Sequence, residues 1–235
     1  MPQGTLDHSL SVFLAAAALA AALVYWLRFC TRDDPGLAGA AIKAASTGLL
    51  AAILWTAVAL GQGLWPIALG LTLGALGDWF LARRGQAAFL AGMAAFAAGH
   101  LAYAGGIVAR AADLGFDGWT LAEGVAVAVL AALVGSTPLW LLPRTGALRG
   151  PVAGYVAVIG LMGLAVAVLP AHPGQGGLRA GAALFILSDA LLALRLFVVQ
   201  DRAAQARLSR ALWPAYWAGQ ALIGWASILT WSAKG

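Results

Sequence analysis

The chain has 235 residues, 62% of them hydrophobic and only 10% charged, with a formal net charge of +5 and a mean hydropathy of +0.87. Soluble domains run at roughly 45–50% apolar and about 25% charged, so this composition excludes a water-soluble globule as well as a disordered chain. One cysteine, Cys30, excludes an intrachain disulfide and a cysteine-based zinc site. The basic excess is read as loop arginines of a membrane protein rather than as a nucleic-acid surface.

A helix needs about 20 apolar residues to cross the hydrocarbon core. Eight segments meet that need in one transmembrane domain over residues 1–235, which predicts an all-α bundle of eight transmembrane helices. The first, about 10–27, has no basic region before it and Arg28 after it, so it reads as a retained anchor and not a cleaved signal. The second, 37–60, ends at Gly61-Gln62-Gly63, and the third, 64–82, opens on Leu64-Trp65-Pro66 and stops at Arg83-Arg84. The fourth covers 86–108. The fifth, 120–142, precedes Pro143, and the sixth, 151–169, lies between Gly150-Pro151 and Leu169-Pro170. The seventh and eighth cover 178–200 and 211–231.

Basic residues alternate between the two sides of this layout. One side and its flanks hold Arg28, Arg32, Lys43, Arg83, Arg84, Arg144, Arg149, Arg195, Arg202, Arg207 and Arg210, against Arg110, Arg179 and Lys234 on the other, 11 to 3. The positive-inside rule puts the larger group in the cytoplasm and both termini outside. Arginine outnumbers lysine heavily and alanine and glycine are abundant, a GC-rich coding bias that points to a bacterial inner membrane.

Nine acids remain to be placed. Asp7, Asp33, Asp34, Asp113, Asp117 and Asp201 fall in loops or tails, and Glu123 meets the positive end of the fifth helix. Asp78 and Asp189 fall inside the third and seventh helices, where a charge costs about 2.5–3.5 kcal/mol and faces the bundle interior. Gly77-Asp78-Trp79-Phe80-Leu81-Ala82 can be laid over Ser188-Asp189-Ala190-Leu191-Leu192-Ala193, which suggests two four-helix halves repeated in parallel. Residues three or four apart share a helix face. Gly70 and Gly74 therefore accompany Asp78, and Ala182 and Phe185 accompany Asp189. Further stripes are Gly92-Phe96-His100-Tyr103, Tyr155-Ile159-Met162 and Tyr216-Gln220-Gly224.

Each of these has a plainer structural reading. The tyrosines suit interhelical packing, and Gln220 suits helix–helix hydrogen bonding. Arg83 and Arg84 suit topology anchors, and Trp65, Trp119 and Trp231 suit an interface belt. The two aspartates suit buried pairs with Arg195 or His100. His172-Pro173 lies in an exterior loop without an assigned role. A metal site from Asp78, His100 and Asp189 lacks ligand spacing, so neither metal nor cofactor is expected.

Five segments taken together resemble a known family. They are Gly77-Asp78 with Leu81; Phe96, His100 and Tyr103; Tyr155, Ile159 and Met162; Gly181-Ala182, Phe185 and Ser188-Asp189; and Tyr216, Gln220 and Leu222-Ile223. Their order and spacing resemble the YhhN family of polytopic membrane proteins, the lysoplasmalogenases. Gly219 departs from the Ala common there, a small-for-small change. The resemblance implies hydrolysis of the vinyl ether bond of a lysoplasmalogen, giving a fatty aldehyde and a glycerophospho-base. It implies Asp78 and Asp189 as the functional acids, and His100, Tyr103, Tyr155, Ser188, Tyr216 and Gln220 as substrate-pocket residues. The partners it implies are the bilayer, a lysophospholipid with a vinyl ether chain, and water.

The chemistry suits two acids. Vinyl ethers resist base and yield to acid, beginning with protonation of the β-carbon. A proton donor, an anion beside the oxocarbenium ion and a base for water are needed, and two carboxylates in different protonation states supply all three, by analogy with glycosidases. Cytoplasmic-side arginines suit the lipid phosphate. The competing readings are a proton-coupled transporter, a lipid-binding membrane protein, and a hydrolase of another ether or acyl lipid.

Overall fold

A computed structural model of the chain describes residues 8–115 and 120–232; Asp7, Asp117, Trp119, Lys234 and the side chain of Trp231 lie outside the described residues. Eight α-helices carry almost all of them: α1 His8–Arg28, α2 Gly36–Ala59, α3 Trp65–Leu81, α4 Gln86–Leu114, α5 Leu121–Trp140, α6 Arg149–Ala167, α7 Gln175–Ala193 and α8 Arg202–Ser232. No strand occurs among the described residues.

Three helix boundaries depart from the hydropathy pattern. α4 runs past residue 108 to Leu114, so Arg110 and Asp113 lie in its last turns and not in a loop. The Ala-rich stretch there favours helix, and the first residue to break it is Gly115, at φ 82°. α8 starts at Arg202, well before residue 211, because Asp201 Oδ2 accepts the Ala204 N–H at 2.6 Å as an N-cap. Arg207 and Arg210 therefore ride on a helix rather than in a loop, and Asp201 is a cap. α7 stops at Ala193 and continues as a single π-helical turn, Leu194–Val198.

Two prolines sit inside helices, and each frees the carbonyl four residues earlier. Both freed groups find donors. Thr137 Oγ1 donates to the Val134 carbonyl (2.7 Å) beside Pro138, and the Trp26 indole donates to the Arg210 carbonyl (3.0 Å) beside Pro214.

Among the described residues six helices are long and apolar enough to cross a membrane: α1, α2, α4, α5, α6 and α7, the last three with their adjoining turns. This is fewer than the eight expected. α3 is apolar but only 17 residues long, and α8 opens on Arg202, Arg207 and Arg210. Large apolar side chains such as Phe13, Leu121, Leu139 and Trp65 face outward, as a lipid-facing surface requires.

The packing order repeats. α1 packs on α2, α2 on α3 and α3 on α4; α5 packs on α6, α6 on α7 and α7 on α8. The two quartets meet through α4 on α6 and, correspondingly, α8 on α2. The same order of neighbours thus appears in α1–α4 and α5–α8. A glycine crossing recurs in both. On α3 and α4, a Cβ on Gly99 would sit 3.0 Å from the Gly70 carbonyl, and a Cβ on Gly70 would strike the Tyr103 ring. On α7 and α8, Gly181 and Gly219 face each other with 2.9 Å from each hypothetical Cβ to the other's carbonyl. Gly70 precedes Asp78, and Gly181 precedes Asp189, by the same two helical turns. The backbones meet closely there, as small residues permit, and this fixes where each aspartate stands.

Candidate functional site

Asp78 lies one turn before the end of α3 and is fully buried. Its Oδ2 accepts two hydroxyls, from Thr47 Oγ1 at 2.7 Å and Tyr216 OH at 2.8 Å. Lys43 Nζ stands 3.2 Å from Oδ1, an ion-pair contact without hydrogen-bond alignment. Lys43 and Thr47 are four residues apart on α2 and so share one face. The ammonium also lies over two aromatic rings, 5.7 Å from the centroid of Trp213 and 5.9 Å from that of Tyr25. The Trp213 indole is itself held by the Ala22 carbonyl at 3.0 Å. Asp78 thus has a cation and two hydroxyl donors around it.

Asp189, on α7, has a different environment. Tyr155 OH, from α6, donates to its Oδ2 at 2.7 Å. Among the described residues no ion pair reaches Asp189. Arg195 pairs instead with Asp33 (3.2 Å), and His100 contacts neither aspartate, so neither expected buried pair forms. Of the two arginine anchors, Arg84 pairs with Asp34 at 2.7 Å and Arg83 lies over the Trp79 ring.

Both carboxylates open on one cavity of about 240 Å³. Its walls are apolar, with Leu130 and Leu133 from α5, Val156 and Ile159 from α6, and Phe96 from α4. Arg32, Asp33 and Arg195 also line it. Cys30 stands with them, partly buried, its thiol directed at the Trp26 carbonyl (2.9 Å); burial pushes that thiol above the usual cysteine range.

Of the expected pocket residues, Tyr155, Ser188 and Tyr216 line the cavity. The Ser188 hydroxyl bonds back to the Phe185 carbonyl (2.7 Å) in its own helix, so its bond is local. His100, Tyr103 and Gln220 are buried but do not line the cavity. They form a layer behind it. Tyr103 OH donates to Gln220 Oε1 at 2.6 Å, and Gln220 Nε2 reaches Tyr216 OH at 3.4 Å, so the pair buttresses the tyrosine on Asp78. His100 Nδ1 lies 2.6 Å from the Phe96 carbonyl, which places the proton on Nδ1, and Nε2 is buried with no hydrogen-bond partner among the described residues. Its ring stands edge-on to Phe185 and Tyr155 at 4.6 and 5.7 Å.

Lys43 and Thr47 were absent from the expected site. Lys43 counts, by charge alone, as a topology anchor flanking the first loop. The signal that distinguishes it is position: it lies two turns inside α2, with a hydroxyl residue one turn further on the same face. The arrangement supplies an ion-paired carboxylate and a second carboxylate that, among the described residues, is bonded to a phenol alone, both on one apolar cavity.

A model of the YhhN family matches residues 38–227, which takes in both aspartates with Lys43, Thr47, Tyr155 and Tyr216, but not Tyr25, Cys30, Arg32 or Asp33. No curated protein and no solved structure matches the chain.

Proposed function

The chain belongs to the YhhN family, and from that membership and the cavity together we propose a lysoplasmalogenase-type hydrolase, an ether hydrolase working inside the membrane. All eight helices cross the bilayer, and the bacterial inner membrane holds the protein with both termini outside. The cavity opens toward the cytoplasmic side, where the arginines gather. The substrate is a lysophospholipid whose single chain is joined by a vinyl ether, with an ethanolamine or choline head group. The products are a fatty aldehyde and the glycerophospho-base.

The unequal partners of the two aspartates carry this reading. Asp78, paired with Lys43, is the standing anion. Asp189, which among the described residues has the Tyr155 phenol alone, is the proton carrier. Asp189 delivers its proton to the β-carbon of the vinyl ether, giving an oxocarbenium ion that the Asp78 carboxylate stabilises. Asp78 takes a proton from water as that water adds to the cationic carbon. The resulting hemiacetal collapses. Asp78 returns its proton to the departing glycerol oxygen, and the hemiacetal hydroxyl proton goes to Asp189. Both acids end as they began, and the net reaction consumes one water. Preorganised charge against apolar walls strengthens each of these interactions.

The test is aldehyde release by the purified protein in detergent, from a lysoplasmalogen beside its lysoacyl counterpart. The reading requires aldehyde from the first and no hydrolysis of the second. Hydrolysis of the acyl ester, or of neither lipid, overturns it.

A further inference from the structure

The charges lining the cavity do not balance once the chemistry above is assigned. Arg32, Lys43 and Arg195 face Asp33, Asp78 and Asp189. Lys43 belongs to Asp78. With the proton on Asp189, one positive charge is left over among Arg32, Arg195 and Asp33. Arg195 is the best placed of these. Its side chain is 19% exposed, its Nε is buried with no hydrogen-bond partner among the described residues, and its Nη2 bonds Asp33, whose side chain is 86% exposed. A carboxylate that open to water is a weak partner that an incoming anion displaces.

The backbone beneath Arg195 is unusual. It sits on the π-helical turn Leu194–Val198 that ends α7, and such turns recur at functional sites. Gln205 of α8 pins the turn through Nε2, to the carbonyls of Arg195 at 3.3 Å and Val199 at 2.8 Å. Arg195 lies six residues after Asp189, about 9 Å along the helix axis at 1.5 Å per residue. The extended linkage from a phosphate through glycerol to the β-carbon of a vinyl ether spans roughly 8 Å, at about 1.2 Å per bond. A phosphodiester at the Arg195 level therefore carries its vinyl ether to the level of Asp189.

We infer that Arg195, assisted by Arg32, is the phosphate-recognition site of this cavity, and that Asp33 holds Arg195 in place until the lipid phosphodiester replaces it. The inference rests on the proposed hydrolysis for the identity of the lipid, and on the geometry of Arg195 for the anion. One negative charge on the diester matches the one surplus cation. The guanidinium fork engages two phosphate oxygens, and this geometry favours arginine over lysine.

The experiment is equilibrium binding to the purified full chain in detergent, using an uncleavable 1-O-alkyl-lysophosphatidylcholine beside the phosphate-free 1-O-alkylglycerol. Arg195→Gln should weaken the phospholipid at least tenfold and leave the alkylglycerol within twofold, which also shows the cavity intact. Asp33→Asn should tighten the phospholipid severalfold by removing the competitor. Equal effects of Arg195→Gln on both ligands, or no tightening in Asp33→Asn, overturns the inference. Displacement of the lysolipid by millimolar inorganic phosphate would reassign the site to a free anion and overturn its lipid part. Because neither ligand is hydrolysed, the result is independent of the enzymatic reading: binding as stated without aldehyde release refutes the hydrolase alone, and aldehyde release without phosphate discrimination refutes this site alone.

Discussion

Replacing Lys43 by Met should destabilise the protein chiefly by stranding Asp78. The ammonium lies 3.2 Å from a carboxylate oxygen, and both side chains are largely shielded, at 13% and 1% exposed. At an effective dielectric near 20 the gross attraction at that separation is about 5 kcal/mol. Desolvation of both ions offsets much of it, so the pair is not worth that much to the fold. Breaking it from one side is different, because an unpaired buried charge remains, at about 3–5 kcal/mol. Thr47 and Tyr216 still donate to Oδ2, which places Lys43→Met near the lower end, about 3 kcal/mol. Adding Asp78→Asn removes the stranded charge while its amide oxygen keeps both hydroxyl donors, and the double variant should recover to within about 1 kcal/mol of the parent. Thermal unfolding in detergent reads this directly. At about 2–4 °C per kcal/mol, Lys43→Met should lose roughly 6–12 °C and the double variant only a few. The double variant should remain inactive despite its recovery. A Lys43→Met protein as stable as the double variant, or more so, would refute the ion-pair account.

Other consequences are equally specific. Tyr155→Phe removes the phenol hydrogen bond to Asp189 and should lower kcat about tenfold, ~1.4 kcal/mol in barrier, with KM and melting temperature unchanged. Gly70→Ala drives a methyl group into the Tyr103 ring at the α3–α4 crossing and should cost about 1–3 kcal/mol by overpacking, whereas Gly105→Ala on the same α4, where a Cβ meets nothing within 4 Å, should be neutral or slightly stabilising in the same unfolding assay. The thiolate is the reactive form of Cys30 and burial raises its pKa, so alkylation by iodoacetamide should be slower than for a free thiol at neutral pH. It should rise only at more alkaline pH than a model thiol, and lysolipid in the cavity should protect it.

Much of this arrangement is legible in the residues themselves. Carboxylates within apolar segments are rare enough to mark Asp78 and Asp189, and helical spacing brings out the stripes that hold Tyr155 and Tyr216, which the fold sets against them. The depth of each residue within the bundle is harder to read. His100, Tyr103 and Gln220 carry the same stripe signal as the cavity residues, but interhelical distance decides which polar group meets the cavity and which supports it from behind. Lys43 hides because basic residues near a predicted loop follow topology, and only the partner across from α2 reveals a buried charge. The extensions of α4 and α8 escape hydropathy for a related reason. Arg110, Asp113, Arg207 and Arg210 interrupt the apolar pattern without breaking the helix, whose ends are set by Gly115 and the Asp201 cap.

The central claim, carbon protonation by the partly buried Asp189, is tested most directly by turnover in deuterium oxide with mass analysis of the aldehyde. Asp189 exchanges its proton with solvent between turnovers, so the account predicts one deuterium on the carbon next to the carbonyl in every aldehyde released, and no aldehyde from Asp189→Asn protein that still inserts and folds. Aldehyde lacking that deuterium, or near-normal release from the Asp189→Asn variant, would contradict it.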